Sequence, residues 1–394
     1  MNIEILIITK ILHTLPNLYL IKTLLLMIAK NILLVDSSYP INTRNERFIS
    51  SLRKSLGVSS IRFAAWNRDN RIVNEKDKMM CIYQSSAKYG SKLLKSVKMY
   101  GYYKYLKNIF HNEHIDIVIA SHWDCLLLCT LLKKKRQILV YENLDIPTSS
   151  NFIVLQVLRC IERICLYRTD VIVFASRFYK SLYTFYKGVD FVIENKLPFE
   201  YCNSIKHCLT PEKKIVISFL GNIRYPEILR NLILAVGSCE DIHCNIYGDG
   251  PDFEKIKKIA LRYGNVSVWG RYEYSEISKI YECSDVIWAV YPSKDYNVKY
   301  AISNKYHESL YYGVPAIYAE GTKLADMVER DGIGYVVNPY SVDSIKRLFA
   351  NLKKNGINDC NGIYDKLKKK QNSETKNWDE EVIPFIEYIC TVEA

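Results

Sequence analysis

Residues 303–321 read SNKYHESLYYGVPAIYAEG, and their types and spacing suit the capture of an anion. Ser303 and Asn304 are helix-capping types. A helix started there carries Lys305, Glu308 and Ser309 before ending at Gly313, ahead of Val314-Pro315 and the strand-length apolar run Ala316–Ala319. A helix N-terminus presents unpaired N–H groups and a partial positive charge, so a diphosphate can sit on Ser303, Asn304 and Lys305. A carboxylate one turn in, Glu308, would repel a bare phosphate. It suits a ligand that continues from phosphate into a hydroxylated ring.

Further candidates stand at the ends of other apolar runs. Arg224 follows the run Ile215–Leu220 and the pair Gly221-Asn222, where a bidentate guanidinium would meet diphosphate oxygens. Gly248 and Gly250 flank Asp249 in a sharp turn that brings backbone close to a ligand or simply turns the chain. Gly270-Arg271 closes a third run. In the first half, His122 is placed to hydrogen-bond a ligand hydroxyl or phosphate, or to pack beside Trp123. Glu142 and Asp145 are carboxylates able to orient an acceptor hydroxyl. Arg44 and Arg47 either meet an acceptor phosphate or form a solvated face with Glu46.

The elements that must position these residues follow a regular alternation. Asn31–Asp36, Ser60–Trp66, Ile115–Ala120, Gln137–Tyr141 and Asp170–Ala175 are continuous apolar runs of the kind buried on both faces of a parallel sheet, with helical stretches between them. Ligands of such sheets bind beyond the carboxyl ends of the strands, where Ser37, His122, Glu142 and Ser176 fall. A second series follows at Ile215–Leu220, Cys244–Tyr247, Val266–Trp269, Val286–Val290 and Ala316–Ala319. The expected class is α/β with two Rossmann-like doubly wound domains facing a cleft. Residues 31–197 form the first, joined by the amphipathic C-terminal helix 378–394; residues 198–212 are a linker, and residues 213–377 form the second.

At 394 residues, with 49% hydrophobic and 24% charged residues, the chain is long enough for two folded cores. A net charge of +12 suits nucleic acid, an anionic membrane or phosphorylated ligands, but no nucleic-acid module matches and that partner is not expected. The basic, tyrosine-rich stretch Lys92–Lys107 suits an anionic membrane face. Twelve cysteines include no Cys-x-x-Cys pair, and Cys125, Cys129, Cys165 and Cys283 sit in apolar surroundings, so reduced thiols of a cytosolic protein are expected. His111 and His114 lack a further ligand pattern, and no metal is expected there. The apolar stretch 1–30 is interrupted by Lys10, Pro16 and Lys22, which argues against a spanning helix. It reads as a helix in the membrane interface or as residues ahead of a natural start at Met27.

In the second half, Gly221…Arg224, Tyr247-Gly-Asp-Gly-Pro251, Val268-Trp-Gly-Arg271, Glu308, Gly313-x-Pro315 and Gly332-x-Gly334 occur in an order that resembles GT-B glycosyltransferases of family 4. Three departures stand out: Tyr300 occupies the place of that family's first Glu, Asn222 and Glu227 occupy the places of its usual Arg and Lys, and Ser121 and His122 occupy the places of the second His and the Asp of its His-x-His-Asp region. The resemblance implies transfer of a sugar from a nucleotide-sugar donor to a glycan acceptor. The expected acceptor is a polyprenyl-diphosphate-linked intermediate of bacterial capsule, O-antigen or exopolysaccharide, met at the cytoplasmic face of the inner membrane. It further implies retention of configuration, no metal or other cofactor, Glu308 on the ribose, the Gly270-Arg271 loop by the nucleobase, and His122, Arg224 and Lys305 as catalytic groups. A nucleotide-sugar epimerase and a non-catalytic partner subunit of another glycosyltransferase are the alternatives.

Overall fold

The computed structural model describes residues 30–56, 61–73, 80–86, 92–149, 151–197, 214–374 and 377–392. The apolar stretch ahead of residue 30 and the expected linker at 198–212 lie outside these residues. Two compact units divide the chain. The first takes the described residues up to Ala175, then Lys180–Ile193, then Asp379 onward; the second takes Ser176–Tyr179 and Glu194–Trp378.

The first unit is a seven-stranded parallel sheet of order β3-β2-β1-β4-β5-β6-β7. Its strands are β1 (Ile32–Asp36), β2 (Ile61–Asn67), β3 (Cys81–Gln84), β4 (Ile117–Ser121), β5 (Ile138–Asn143), β6 (Val171–Phe174) and β7 (Val189–Val192). Register is set by pairs such as Ile32 with Ile61 on one side and Ile117 on the other. Every residue of β1, β4 and β5 is buried, which is why these strands read as unbroken apolar runs and not as alternating ones. Helices α1 (Thr43–Leu56), α2 (Lys92–Asn112), α3 (His122–Leu132) and α4 (Phe152–Leu166) provide the crossovers.

The basic, tyrosine-rich stretch expected to face a membrane is α2, and its tyrosines divide between core and surface. Tyr102 is fully buried, stacks on Trp66 with ring centroids 5.7 Å apart, and donates its hydroxyl to the carbonyls of Asp36 and Ala64. Packing therefore accounts for part of the aromatic pattern that suggested a lipid surface.

The second unit is a six-stranded parallel sheet, order β10-β9-β8-β11-β12-β13. It comprises β8 (Ile215–Leu220), β9 (Ile242–Tyr247), β10 (Val266–Gly270), β11 (Val286–Ala289), β12 (Ala316–Ala319) and β13 (Tyr335–Val337). Its helices are α5 (Pro226–Val236), α6 (Phe253–Ala260), α7 (Ile277–Glu282), α8 (Tyr296–Tyr300), α9 (Asn304–Tyr312), α10 (Lys323–Asp331) and α11 (Val342–Ser373). One apolar core, including Ile217, Ile233, Trp288 and Phe349, lies under α5 and α11; another, including Tyr306, Leu310, Val314 and Val328, lies under α9 and α10.

The boundary expected at residue 197 falls at 193/194. Glu194 is buried in the second unit against the Arg177 guanidinium, at 2.8 and 2.6 Å, so both ends of the excursion 180–193 are anchored there. Ser176, expected at the ligand edge of the first sheet, gives its hydroxyl to the Tyr300 carbonyl (2.7 Å). The last helix, α12 (Trp378–Thr391), packs Phe385 edge-on against Phe48 and Phe191 of the first unit. Cys125, Cys129 and Cys165 are buried as expected, whereas Cys283 is exposed, because it caps α7 beyond the last turn that faces the core.

Candidate functional site

In each sheet the strand order reverses once, between β1 and β4 and between β8 and β11, and a crevice opens at the carboxyl ends of such strand pairs. The candidate residues of the second unit gather on loops leaving that edge. The loops after β8, β9 and β10 are laced by backbone: Gly221 N–H donates to the Tyr247 carbonyl (3.0 Å), Ile223 N–H to that of Asp249 (2.9 Å) and Gly248 N–H to that of Gly270 (2.6 Å). Gly248 (φ +137°) leaves no room for a side chain, since a Cβ there would collide with the Gly221 carbonyl. A Cβ on Gly250 would stand 2.6 Å from the Ile223 carbonyl oxygen. These glycines thus serve the close approach of neighbouring loops, a third role beside the two expected of them.

Arg224 and Asn222 are exposed on the first of these loops, the Arg224 guanidinium 4.9 Å from the centre of the Tyr225 ring. Arg271 is exposed on the third. Beside it Trp269, 64% exposed, stacks nearly parallel on Tyr247 at 6.0 Å and donates its indole N–H to Asn245 (2.9 Å). An aromatic face presented to solvent in this way can accept a planar ring.

The helix expected at 303 is α9. Ser303 caps it, its hydroxyl accepting from Lys305 N–H (3.2 Å), and Gly313 closes it in the left-handed region at φ +67°. Because α9 follows a parallel strand, its N-terminus lies at the carboxyl edge of the sheet. Asn304 is exposed at the helix start, its Oδ1 accepting from the Asn195 side chain at 2.8 Å. One expectation is corrected there: Lys305, offered as a cation for phosphate, is buried with its ammonium 2.7 Å from Glu308 Oε2, one turn on. The reason is low exposure: a buried charge needs a partner, and the (i, i+3) spacing supplies it. Burial disfavours the Lys305 charge, but Glu308, with the Tyr272 and Tyr291 hydroxyls facing it, outweighs that and raises its pKa. Tyr281 donates to the same carboxylate oxygen at 2.9 Å, and its own pKa is driven up by burial and then by Glu308. Both bonds use Oε2; Oε1 takes no hydrogen bond among the described residues.

Behind α9 lies a buried network that sequence reasoning missed. Arg177 grips Glu194 with two nitrogens and reaches Glu374 at 3.3 Å; Tyr306 donates to Glu374 at 3.1 Å. Burial opposes the Glu194 charge, yet the Arg177 hydrogen bonds hold its pKa below the usual carboxylate range. His307 lies 3.8 Å from Glu194, and burial pushes its pKa down to about 4. Arg177 and Glu374 stand 197 positions apart, and residues so far apart in sequence carry no mutual signal.

In the first unit the carboxyl edge carries an acidic ring. Asp36 accepts from Ser38, Asn42 and Asn45, and its pKa is raised, by burial first, against the opposing pull of His122. Arg44 and Glu142, expected to meet an acceptor, are instead a buried pair at 2.8 Å, and Ser121 donates to the second Glu142 oxygen. Burial again demands the pairing. Asp145 is exposed, 3.9 Å from His122 Nδ1. His122 itself takes φ +68°, a conformation an L-residue adopts at a cost of about 1 kcal/mol or more. Burial would lower its pKa; Asp36, Asp145, Asp124 and Glu142 together raise it, favouring an imidazolium able to donate to a hydroxyl or phosphate. Among the described residues no cluster of three His, Cys, Asp or Glu side chains is placed to hold a metal ion.

Comparison with known proteins bears on both units. The family described as glycosyl transferases group 1 matches residues 203–377, nearly the whole of the second unit. No curated protein sequence matches the chain. Among solved structures, it is similar to sucrose-phosphate synthase from Thermosynechococcus elongatus (TM-score 0.66, 10% identity, covering 90% of this chain and 97% of that one). It is also similar to Anabaena HepE in complex with UDP and glucose (TM-score 0.65, 14% identity, 92% and 100% covered). A third is the lipopolysaccharide outer core galactosyltransferase WaaB (TM-score 0.55, 14% identity, 88% and 100% covered). With a strand order of 3-2-1-4-5-6 in each sheet, extended by β7 in the first, and a glycosyl transferases group 1 domain at residues 203–377, the chain has the GT-B fold and carries a glycosyltransferase domain in its second unit.

Proposed function

We propose that the chain transfers a sugar from a nucleoside diphosphate sugar to a lipid-linked glycan acceptor of a bacterial surface polysaccharide, with retention of configuration. The observation that carries the donor half of this reading is the Lys305–Glu308–Tyr281 cluster at the sheet-edge end of α9. Two partners fix the Glu308 carboxylate through Oε2, so Oε1 is oriented for the ribose hydroxyls without the entropy cost of a free side chain. The exposed Trp269 face takes the base. Arg224 and Arg271 take the diphosphate, on which negative charge grows as the sugar passes through an oxocarbenium-like state. In the first unit the imidazolium of His122 is able to donate to a hydroxyl group, with the Asp145 carboxylate 3.9 Å from its Nδ1. The acceptor class draws support from the likeness to WaaB, and the donor class from the HepE complex with UDP.

A thermal-shift panel of UDP-, GDP- and dTDP-sugars tests the donor, because a ligand that binds only the folded state raises the melting temperature. One class should stabilise the wild type, with Arg224→Ala weakening its binding by about tenfold or more through loss of a charge-assisted hydrogen bond. If no nucleotide sugar shifts the melting temperature, the chain is instead a non-catalytic subunit, the reading that Tyr300 in place of a glutamate favours.

A further inference from the structure

The outer face of α4 is unlike that of any other helix described in the first unit. Ile153, Val157, Cys160, Ile164 and Tyr167 recur at spacings of four, three, four and three residues, which places them in one stripe along the helix. All five are exposed, Ile153 by 72% and Ile164 by 60%. Phe152, at 71%, widens the stripe at its start, and Leu131 of the neighbouring α3, at 60%, at its end. A continuous apolar strip of this length on a folded chain marks a surface that is covered in use.

The charges around it identify what covers it. Within residues 151–168 the basic side chains are Arg159, Arg163 and Arg168 and the sole acid is Glu162. Glu162 is buried beneath the helix, taken by the hydroxyls of Tyr141 and Tyr183 at 2.8 Å each, so it presents no negative charge outward. Arg163 is exposed on the flank of the stripe, its guanidinium 4.4 Å from the centre of the Phe185 ring, while Arg159, half-buried one turn before it, faces the buried Glu162. Arg168 stands at its C-terminal end, donating to the carbonyl of Lys133, whose ammonium is paired with Asp170 at 2.5 Å; Lys135 and Arg136 are exposed next in sequence. An apolar stripe with a cationic flank complements the acyl boundary and the headgroups of an anionic bilayer. A second copy of the chain would bring the same cationic flank, with only Asp170, already paired with Lys133, as an exposed acid beside it among the described residues.

We infer that α4 is the membrane-docking surface of the first unit, seated on anionic lipid with its apolar stripe in the acyl boundary. This is a different surface from the basic stretch on α2, and it holds whatever sugar or acceptor the chain uses.

Flotation of the full chain with vesicles of phosphatidylglycerol and phosphatidylcholine, against phosphatidylcholine alone, is the test. Wild type should float with the anionic vesicles, and high salt should release it. The triple variant Ile153→Asp, Val157→Asp, Ile164→Asp should bind at least about tenfold more weakly, since each buried CH₂ group counts in such binding. Arg163→Gln and Arg168→Gln should each cost about fivefold. These positions are on the surface, so an unchanged circular dichroism spectrum and nucleotide-sugar thermal shift will separate lost docking from lost fold or donor site. Three outcomes overturn the inference: the triple variant floating like wild type; binding lost instead in Tyr100→Asp on α2; or a wild-type dimer in sedimentation that the triple variant turns into monomer.

Discussion

The two units share the strand order 3-2-1-4-5-6, extended by β7 in the first, and have opposite electrostatics at their carboxyl edges. The first surrounds a single histidine with Asp36, Asp124, Asp145 and Glu142, and its buried cation, Arg44, is already closed on Glu142. At its own edge the second unit buries the ion pair Lys305–Glu308 and leaves Arg224 and Arg271 exposed beside glycine-laced loops. An edge with exposed cations and close-packed backbone suits a diphosphate; an acidic edge with a raised-pKa histidine repels one and suits hydroxyl groups. Common topology therefore leaves the division of labour to a few side chains at the strand ends.

The largest effect expected from disturbing this comparison is at the two buried pairs. Glu142→Gln and Glu308→Gln each strand a buried cation and should each cost about 3 kcal/mol in urea unfolding. The variants should then part: Glu308→Gln loses the nucleotide-sugar thermal shift, while Glu142→Gln keeps it. Equal loss in both would show that the donor site is not confined to the second unit.

A middle-sized effect concerns acid. His307 has a folded pKa of about 4, below the ordinary 6.5, so between these values the unfolded chain binds a proton that the folded chain does not. Stability from this group is present above pH 6.5 and is lost as pH falls, by about 2 kcal/mol between pH 7 and pH 5. His307→Leu should flatten that slope; a slope unchanged in the variant would assign the acid sensitivity elsewhere.

His122 carries the smallest change in stability. Its pKa is raised, so its charge stabilises the fold below about pH 6.5 and the benefit fades as pH rises through the higher folded value. At pH 9 only the left-handed backbone remains to count, and His122→Gly should be more stable by about 1 kcal/mol while sugar transfer falls. A variant that gains no stability at high pH would mean that side-chain packing outweighs the backbone cost.

Strand runs such as Ile32–Val35 and Ile215–Leu220, the cap at Ser303 and the stop at Gly313 were legible in the sequence, because each depends on neighbours within a turn or a strand. So was the match of residues 221–334 to a known family. Tyr281 was not, since a tyrosine in an amphipathic helix reads as core until its hydroxyl is seen to meet a carboxylate 27 residues away. Nor were Arg177 and Glu194 legible as the clamp that moves the unit boundary from 197 to 193/194.

The sequence alone determined the class of fold, the number of sheets and the places where loops leave them, because hydrophobic periodicity and turn chemistry are local. Only the tertiary structure decided which charges are buried. Lys305 and Arg44 carry the same formal charge as the exposed Arg224, and Glu142 the same as the exposed Asp145. Burial obliges Lys305, Arg44 and Glu142 to neutralise one another or a neighbour, and burial depends on elements that the local sequence does not specify.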